Sequence, residues 1–130
     1  DVKKNENTGL YSVHTNNGNL LHDISITAFA KKVQDLGAGE IVVNSIDRDG
    51  LMTGYDHELI RNIYSAIEIP VSVLGGAGSI QHIKDLFQKF NIIGACAGSL
   101  FVFKGKFKAV LISYPDKSLK SDIFKSVDRR

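Results

Sequence analysis

Residues 41–50 read IVVNSIDRDG, a short apolar run that ends in three charged residues and a glycine. An uninterrupted run of β-branched residues is the pattern of a strand covered on both faces, as in a parallel sheet. The charges after it have two readings. They are an exposed turn, with Asp49–Gly50 at its corner and Asp47 with Arg48 as a surface ion pair, or they carry chemistry at a strand end.

Working outward, the same alternation recurs. Upstream, Ser25 precedes Ile26, Phe29, Ala30, Val33 and Leu36, spaced three and four apart, which predicts an N-capped helix ended by Gly37 and Gly39. Downstream, Leu59, Ile60, Ile63, Ala66 and Ile67 predict a second helix, and Pro70 leads into a buried strand over 71–74. GGAGS (75–79) opens a third helix through Ile80, Ile83, Leu86, Phe87 and Phe90; residues 92–97 read as a strand, and Gly98–Ser99 as the turn after it. Strand alternating with helix means βα units and a parallel sheet. Polar or glycine-rich turns follow all three strands, which favours a (β/α)₈ barrel, with functional loops at one common face, over a doubly wound open sheet. Eight strands close such a barrel. Here there are three, plus whatever strand Asp1 terminates, so the expected fold is α/β, the C-terminal half-barrel of a (β/α)₈ fold with parallel strands. A hairpin insertion is expected over residues 11–22, around Asn16–Gly18. The tail, residues 109–130, holds an apolar patch at 109–112 and a weaker helical stretch at 118–127. A half-barrel leaves two open sheet edges, which predicts self-association or a partly molten state.

Composition bounds the function. A chain of 130 residues, 43% hydrophobic and 23% charged, is one ordinary globular domain. Its net charge of +2 and the absence of a long basic run argue against a nucleic-acid binder. Lys104, Lys106 and Lys108 alternate as on a solvated face, with Lys125, Arg129 and Arg130 further on. Cys96, between Ala95 and Ala97, is expected to be a small buried residue rather than a nucleophile, and a lone cysteine fits a reducing cytoplasm. No apolar run reaches the length of a membrane span, and the first residues have neither an apolar core nor a cleavage site for export. The chain opens at Asp1 without an initiator Met, as a fragment would. The four histidines have no ligand spacing, and no Ser/His/Asp or Cys/His set is present, so neither metal nor cofactor is expected.

Gly75, Gly76 and Gly78 lie where a strand hands over to a helix, so backbone N–H groups can approach an anion there and the helix N-terminus near Ser79 can add its dipole. Gly98 and Ser99 repeat the arrangement after the next strand, Ser99 adding a hydroxyl. Two such loops form a phosphate grip; the competing reading is that tight βα turns use glycine for sterics alone. Asp49 sits at the same mouth, and Asp1, if it ends a strand, is a candidate general acid or base.

The stretches LGAGEIVVNSIDRDGLMTGYDHELI, IPVSVLGGAGS and GACAGSLFVF closely resemble, in order and spacing, the second half of the cyclase subunit of imidazole glycerol phosphate synthase. That resemblance implies a (β/α)₈ barrel of two similar halves, each with one catalytic aspartate and one phosphate site. Its substrate would be a bis-phosphorylated ribulosyl formimino carboxamide nucleotide, cleaved and cyclised with ammonia from a glutaminase partner. It implies that Asp1, in DVKK, is the catalytic aspartate of this half and Asp49 the other carboxylate of the site. Gly50, Gly75, Gly76, Gly98 and Ser99 would hold one phosphate, and Glu40 would belong to the charged ring through which ammonia enters. The missing N-terminal half would carry the rest, leaving this chain alone inactive. Two departures keep an alternative open. Asn44 replaces the usual Thr, and the tail FVFKGKFKAVLISYP resembles a branch found among surface-polysaccharide proteins, thought to pass ammonia to an acetamido sugar. A phosphate-binding half-barrel without turnover is the third possibility.

Overall fold

The computed structural model describes residues 1–125. The chain begins with an antiparallel meander, β1 (Val2–Lys4), β2 (Tyr11–Thr15) and β3 (Leu20–Ser25). It continues through α1 (Ile26–Asp35), β4 (Ile41–Asn44), α2 (His57–Tyr64), β5 (Val71–Leu74), α3 (Ile80–Lys89) and β6 (Gly94–Ala95). β4, β5 and β6 lie side by side in one parallel sheet. These are consecutive βα units of a (β/α)₈ barrel, half of the circle rather than all of it. A short helix α4 (Ser99–Val102), a hairpin of β7 (Phe103–Lys104) and β8 (Ala109–Val110), and α5 (Lys117–Lys125) follow.

Each long helix of the βα region starts on its own side-chain cap. Ser25 Oγ accepts the N–H of Ala28 at 3.2 Å, Asp56 that of Leu59 at 3.1 Å, and Ser79 that of His82 at 3.2 Å. Such caps contribute about 1 kcal/mol each. The apolar stripes then bury Ile26 and Ala30, Leu59, Ile60 and Ile63, and Ile83 and Leu86 in the core that also takes in Val43, Val71 and Val73 of the sheet. In register, Val43 pairs with Val73 and Ile41 with Val71, so alternate residues Val42, Asn44, Ser72 and Leu74 point to the opposite face. Val42 is 57% exposed. The expectation of a strand covered on both faces is therefore corrected: helices cover one face, and the other is open among the described residues.

Other expectations shift as well. The hairpin of residues 11–22 is present but longer, and its outer partner is β1, which the sequence reading missed. Asp1 consequently precedes a strand instead of ending one: Val2–Lys4 extend onto β2, while Val2 also bridges in parallel to Ser45. The strand expected over 92–97 pairs only at Gly94–Ala95, with Cys96 N–H reaching Val73 O at 2.8 Å, and Ile92 is 69% exposed. Gly98–Ser99 opens a turn of helix, not a simple turn. In the tail, Val110, Leu111 and Ile112 are exposed, and the helical stretch is Lys117–Lys125. Val127, Arg129 and Arg130 lie outside the described residues.

One consequence is testable directly. The apolar groove beside β4, lined by Val42, Val33, Phe29 and Ile63, stands open next to a strand whose outer edge is bridged only beyond its C-terminal end, by Val2 to Ser45. Light scattering on the 130-residue chain across concentration should show mass growing beyond a monomer. A monodisperse, cooperatively unfolding monomer at high concentration would refute this.

Candidate functional site

The segment after β4 folds back at once. The N–H groups of Arg48 and Asp49 both donate to Ser45 O, at 3.1 and 3.0 Å, and Gly50 has φ +72°, so Asp49–Gly50 is indeed a turn corner. It is not a free one. Gly54 N–H donates to Gly76 O at 2.7 Å, joining this loop to the glycine turn after β5. A Cβ at Gly75 would stand 2.6 Å from Ser45 O, one at Gly76 would run into the carbonyl of Gly54, and one at Gly78 into that of Met52. These three glycines are thus required by the close approach of two loops. Gly50 and Gly98 differ: a side chain there would meet no atom within 4 Å.

Between the loops lies a shallow, open recess with about 10 Å³ of enclosed space, lined by Asp49, Gly50, Gly75, Gly76, Cys96, Gly98 and Ser99. Gly50, Gly75, Gly76, Gly98 and Ser99 all line it; Gly78 of the same glycine turn does not. No Lys, Arg or His lines it, so its donors are backbone N–H groups, among them those of Gly76, Gly98 and Ser99, which donate to no other described residue, and the Ser99 hydroxyl. At the start of α3, Gly78 N–H donates to His82 Nδ1 at 3.1 Å and His82 N–H to Ser79 Oγ, so these two donors are taken within the turn, and neither Gly78 nor Ser79 lines the recess. Cys96 is half-buried, and burial, followed by the charge of Glu40, pushes its thiol upward, away from the thiolate form.

Asp1 does not line the recess; it lines the groove beside β4, as Glu40 does, and is linked toward the recess through Asn44. Asn44 Nδ2 donates to Asp1 Oδ1 at 3.1 Å, while Asn44 Oδ1 is buried without a hydrogen-bond partner and faces Gly75, whose Cβ would lie 3.2 Å away. Glu40 is at the far end of β4, where it accepts a hydrogen bond from Ser72 Oγ. The structure therefore gathers the glycine, serine and Asp49 positions, places Asp1 two contacts away, and sets Glu40 on the opposite rim, about 13 Å along the strand. Among the described residues no His/Cys/Asp/Glu group could hold a metal ion, and no helix is long and apolar enough to cross a membrane.

Residues 1–108 match the family model described as histidine biosynthesis protein. The chain belongs to that family. It is 51% identical over 124 residues to the "Putative imidazole glycerol phosphate synthase subunit HisF" of Leptospira borgpetersenii, covering 95% of this chain and 49% of that protein. It is 47% identical over 120 residues to the protein of Vibrio vulnificus named as the hisF3 subunit, covering 92% and 46%. To the "Imidazole glycerol phosphate synthase subunit HisF" of Chlorobium limicola it is 39% identical over 104 residues, covering 80% and 41%. The chain spans about half the length of the curated relatives it matches.

In this histidine biosynthesis family member a second polar cluster, unforeseen in the sequence, fixes the loop that carries Asp49. Tyr11, on β2, donates its hydroxyl to Asp56, 3.0 Å from Oδ1, and Asp56 is the buried N-cap of α2. Burial, then this hydrogen bond, pushes Tyr11 up to about 12. Arg48 lies 3.7 Å from Asp56 and donates to Gly54 O at 3.2 Å; Asp47 instead accepts Lys4 N–H at 2.6 Å. The expected Asp47–Arg48 surface pair is thus replaced by two separate attachments. Lys4 pairs with Glu58 at 2.6 Å, the hydrogen bond that raises the one and lowers the other. Nearby, His57 stacks on Phe90 with Nδ1 buried and unpartnered, and burial lowers its pKa.

Proposed function

We propose that this chain is the second half of a cyclase-type subunit of imidazole glycerol phosphate synthase. It would hold one phosphate of a bis-phosphorylated ribulosyl formimino carboxamide nucleotide in the recess, with Asp1 as the proton-transferring group of this half. The recess carries the reading: Gly76, Gly98 and Ser99, whose N–H groups have no partner among the described residues, line it together with the Ser99 hydroxyl, and Gly98 has open space around it. Backbone N–H groups held in this way bind an anion without a positive side chain. Asn44 orients the Asp1 carboxylate by donating to one oxygen and leaves the other for a substrate proton. Glu40, on the opposite rim, fits an entry point for ammonia supplied by a glutaminase subunit. Turnover then requires a first half-barrel bearing the second aspartate and second phosphate site.

A second reading, ammonia transfer to an acetamido sugar, is supported by Asn44 in place of the usual Thr and by the resemblance of the tail sequence over 101–115 to that branch. The two differ in substrate, not in the phosphate grip or the role of Asp1.

The grip has a clean test. Gly98 has φ −105° and open space around it, so Gly98→Ala is tolerated by the backbone but adds a methyl at the rim. Titration with inorganic phosphate, followed by amide shifts, should perturb Gly76, Gly98 and Ser99 together in the parent chain. Loss of one or two charge-assisted bonds should weaken binding roughly tenfold or more in the variant. Shifts confined to Lys104–Lys108 would refute the grip.

A further inference from the structure

We infer that His82 is a positioning residue that locks the glycine turn of the recess to the Asp49 loop, as a neutral imidazole protonated on Nε2. Its consequence for binding rests on the phosphate reading above. The tautomer follows from chemistry. Gly78 N–H donates to Nδ1 at 3.1 Å, and a backbone N–H can only donate, so Nδ1 carries the lone pair and the proton sits on Nε2. Ser79 Oγ meanwhile accepts the N–H of His82. The pair is a reciprocal cap in which a histidine takes the place of the usual Glu or Gln and reaches back to the residue before the cap.

The lock runs through Gly78: a Cβ there would run into the Met52 carbonyl, so the turn lies directly against the Asp49 loop, and the His82 ring stands over the open side of Gly54, where an added Cβ would come 3.8 Å from both Cδ2 and Nε2. Gly54 N–H in turn donates to Gly76 O. His82 therefore holds Gly78 by a hydrogen bond, Gly78 lies against the Met52 carbonyl of the Asp49 loop, and Gly54 and Gly76 hold each other. The arrangement also commits Gly78 N–H to the imidazole and leaves Gly76, Gly98 and Ser99 to face the recess. Without the acceptor, a part-buried N–H is stranded and must turn toward water, carrying the glycine turn with it.

The test compares the parent chain with His82→Asn, whose Oδ1 falls where Nδ1 was, and His82→Leu, which keeps bulk without an acceptor. Two readouts are taken on each: hydrogen exchange of the Gly54 amide, and the amide-shift affinity for inorganic phosphate. Parent and Asn variant should agree within about threefold on both, and the Leu variant should lose roughly tenfold on both, as expected for one buried hydrogen bond. Equal Gly54 protection in all three proteins would overturn the inference. If the parent binds no phosphate, the phosphate reading fails, and Gly54 exchange alone decides the role of His82. If the Leu variant does not fold, the Asn comparison and the ring nitrogen spectrum of the parent decide it: an imidazole protonated on Nδ1, or an Asn variant unlike the parent, would overturn it.

Discussion

Gly76→Ala is expected to destabilise the chain by about 3 kcal/mol or more, enough to unfold a domain of ordinary stability at moderate temperature. Two costs combine. At φ +99° an L side chain is strained whatever the space, and the added Cβ would overlap the Gly54 carbonyl, with Arg48 Cβ also only 3.2 Å away. Neither obstacle is the flexible end of a side chain, so relief requires moving the Asp49 loop and breaking the Gly54–Gly76 hydrogen bond. Gly50→Ala has open space and only a positive φ, and should cost about 1–2 kcal/mol. Gly98→Ala, with neither problem, should cost about 1 kcal/mol or less, the penalty of a poorer cap. Urea midpoints at one fixed protein concentration rank the three. A Gly76 variant as stable as the Gly98 variant would mean that the two loops do not pack as described.

That ranking also separates what the sequence disclosed from what it hid. The βα order, the helices and β5 were legible because their signals are local: apolar spacing of three and four, Ser25 and Ser79 before a stripe, Pro70 before a β-branched run. The glycines of GGAGS were legible as important but not as to why. Their constraint comes from carbonyls of Ser45, Gly54 and Met52, more than twenty residues away in sequence, and nothing in GGAGS itself names those partners. The Tyr11–Asp56 and Lys4–Asp47 attachments cross separations of 45 and 43 residues and were invisible for the same reason. β1 was missed because VKK has one apolar residue and no alternation to read, yet β2 supplies it with a full ladder. The over-long strand at 92–97 shows the opposite error. An apolar run signals burial but not pairing, and β6 pairs only where Gly94 lets the backbone come against the Ser72 side chain.

In a protein that supplies the complementary half-barrel, Asp1→Asn is expected to lower ammonia-dependent turnover by roughly 10²–10⁴, the usual cost of losing a general acid or base. The substitution is chosen for what it preserves. Asn keeps a carbonyl oxygen that can still accept from Asn44 Nδ2, now at 3.1 Å from the Asp1 carboxylate, so the packing at the mouth survives while basicity is removed. The phosphate recess is built from other residues, Gly76, Gly98 and Ser99 among them, so KM for the phosphorylated substrate should change little while kcat falls. A positioning role for Asp1 would predict the reverse, with affinity falling and the pH profile unchanged. If Asp1 transfers the proton, the residual activity should also lose the limb of its pH–rate profile that reports an ionising carboxylate. Because ammonia is supplied directly, a fault in a glutaminase subunit cannot mimic the result. Near-normal turnover with Asn at this position would remove Asp1 from the chemistry and leave this half of the barrel as a phosphate holder alone.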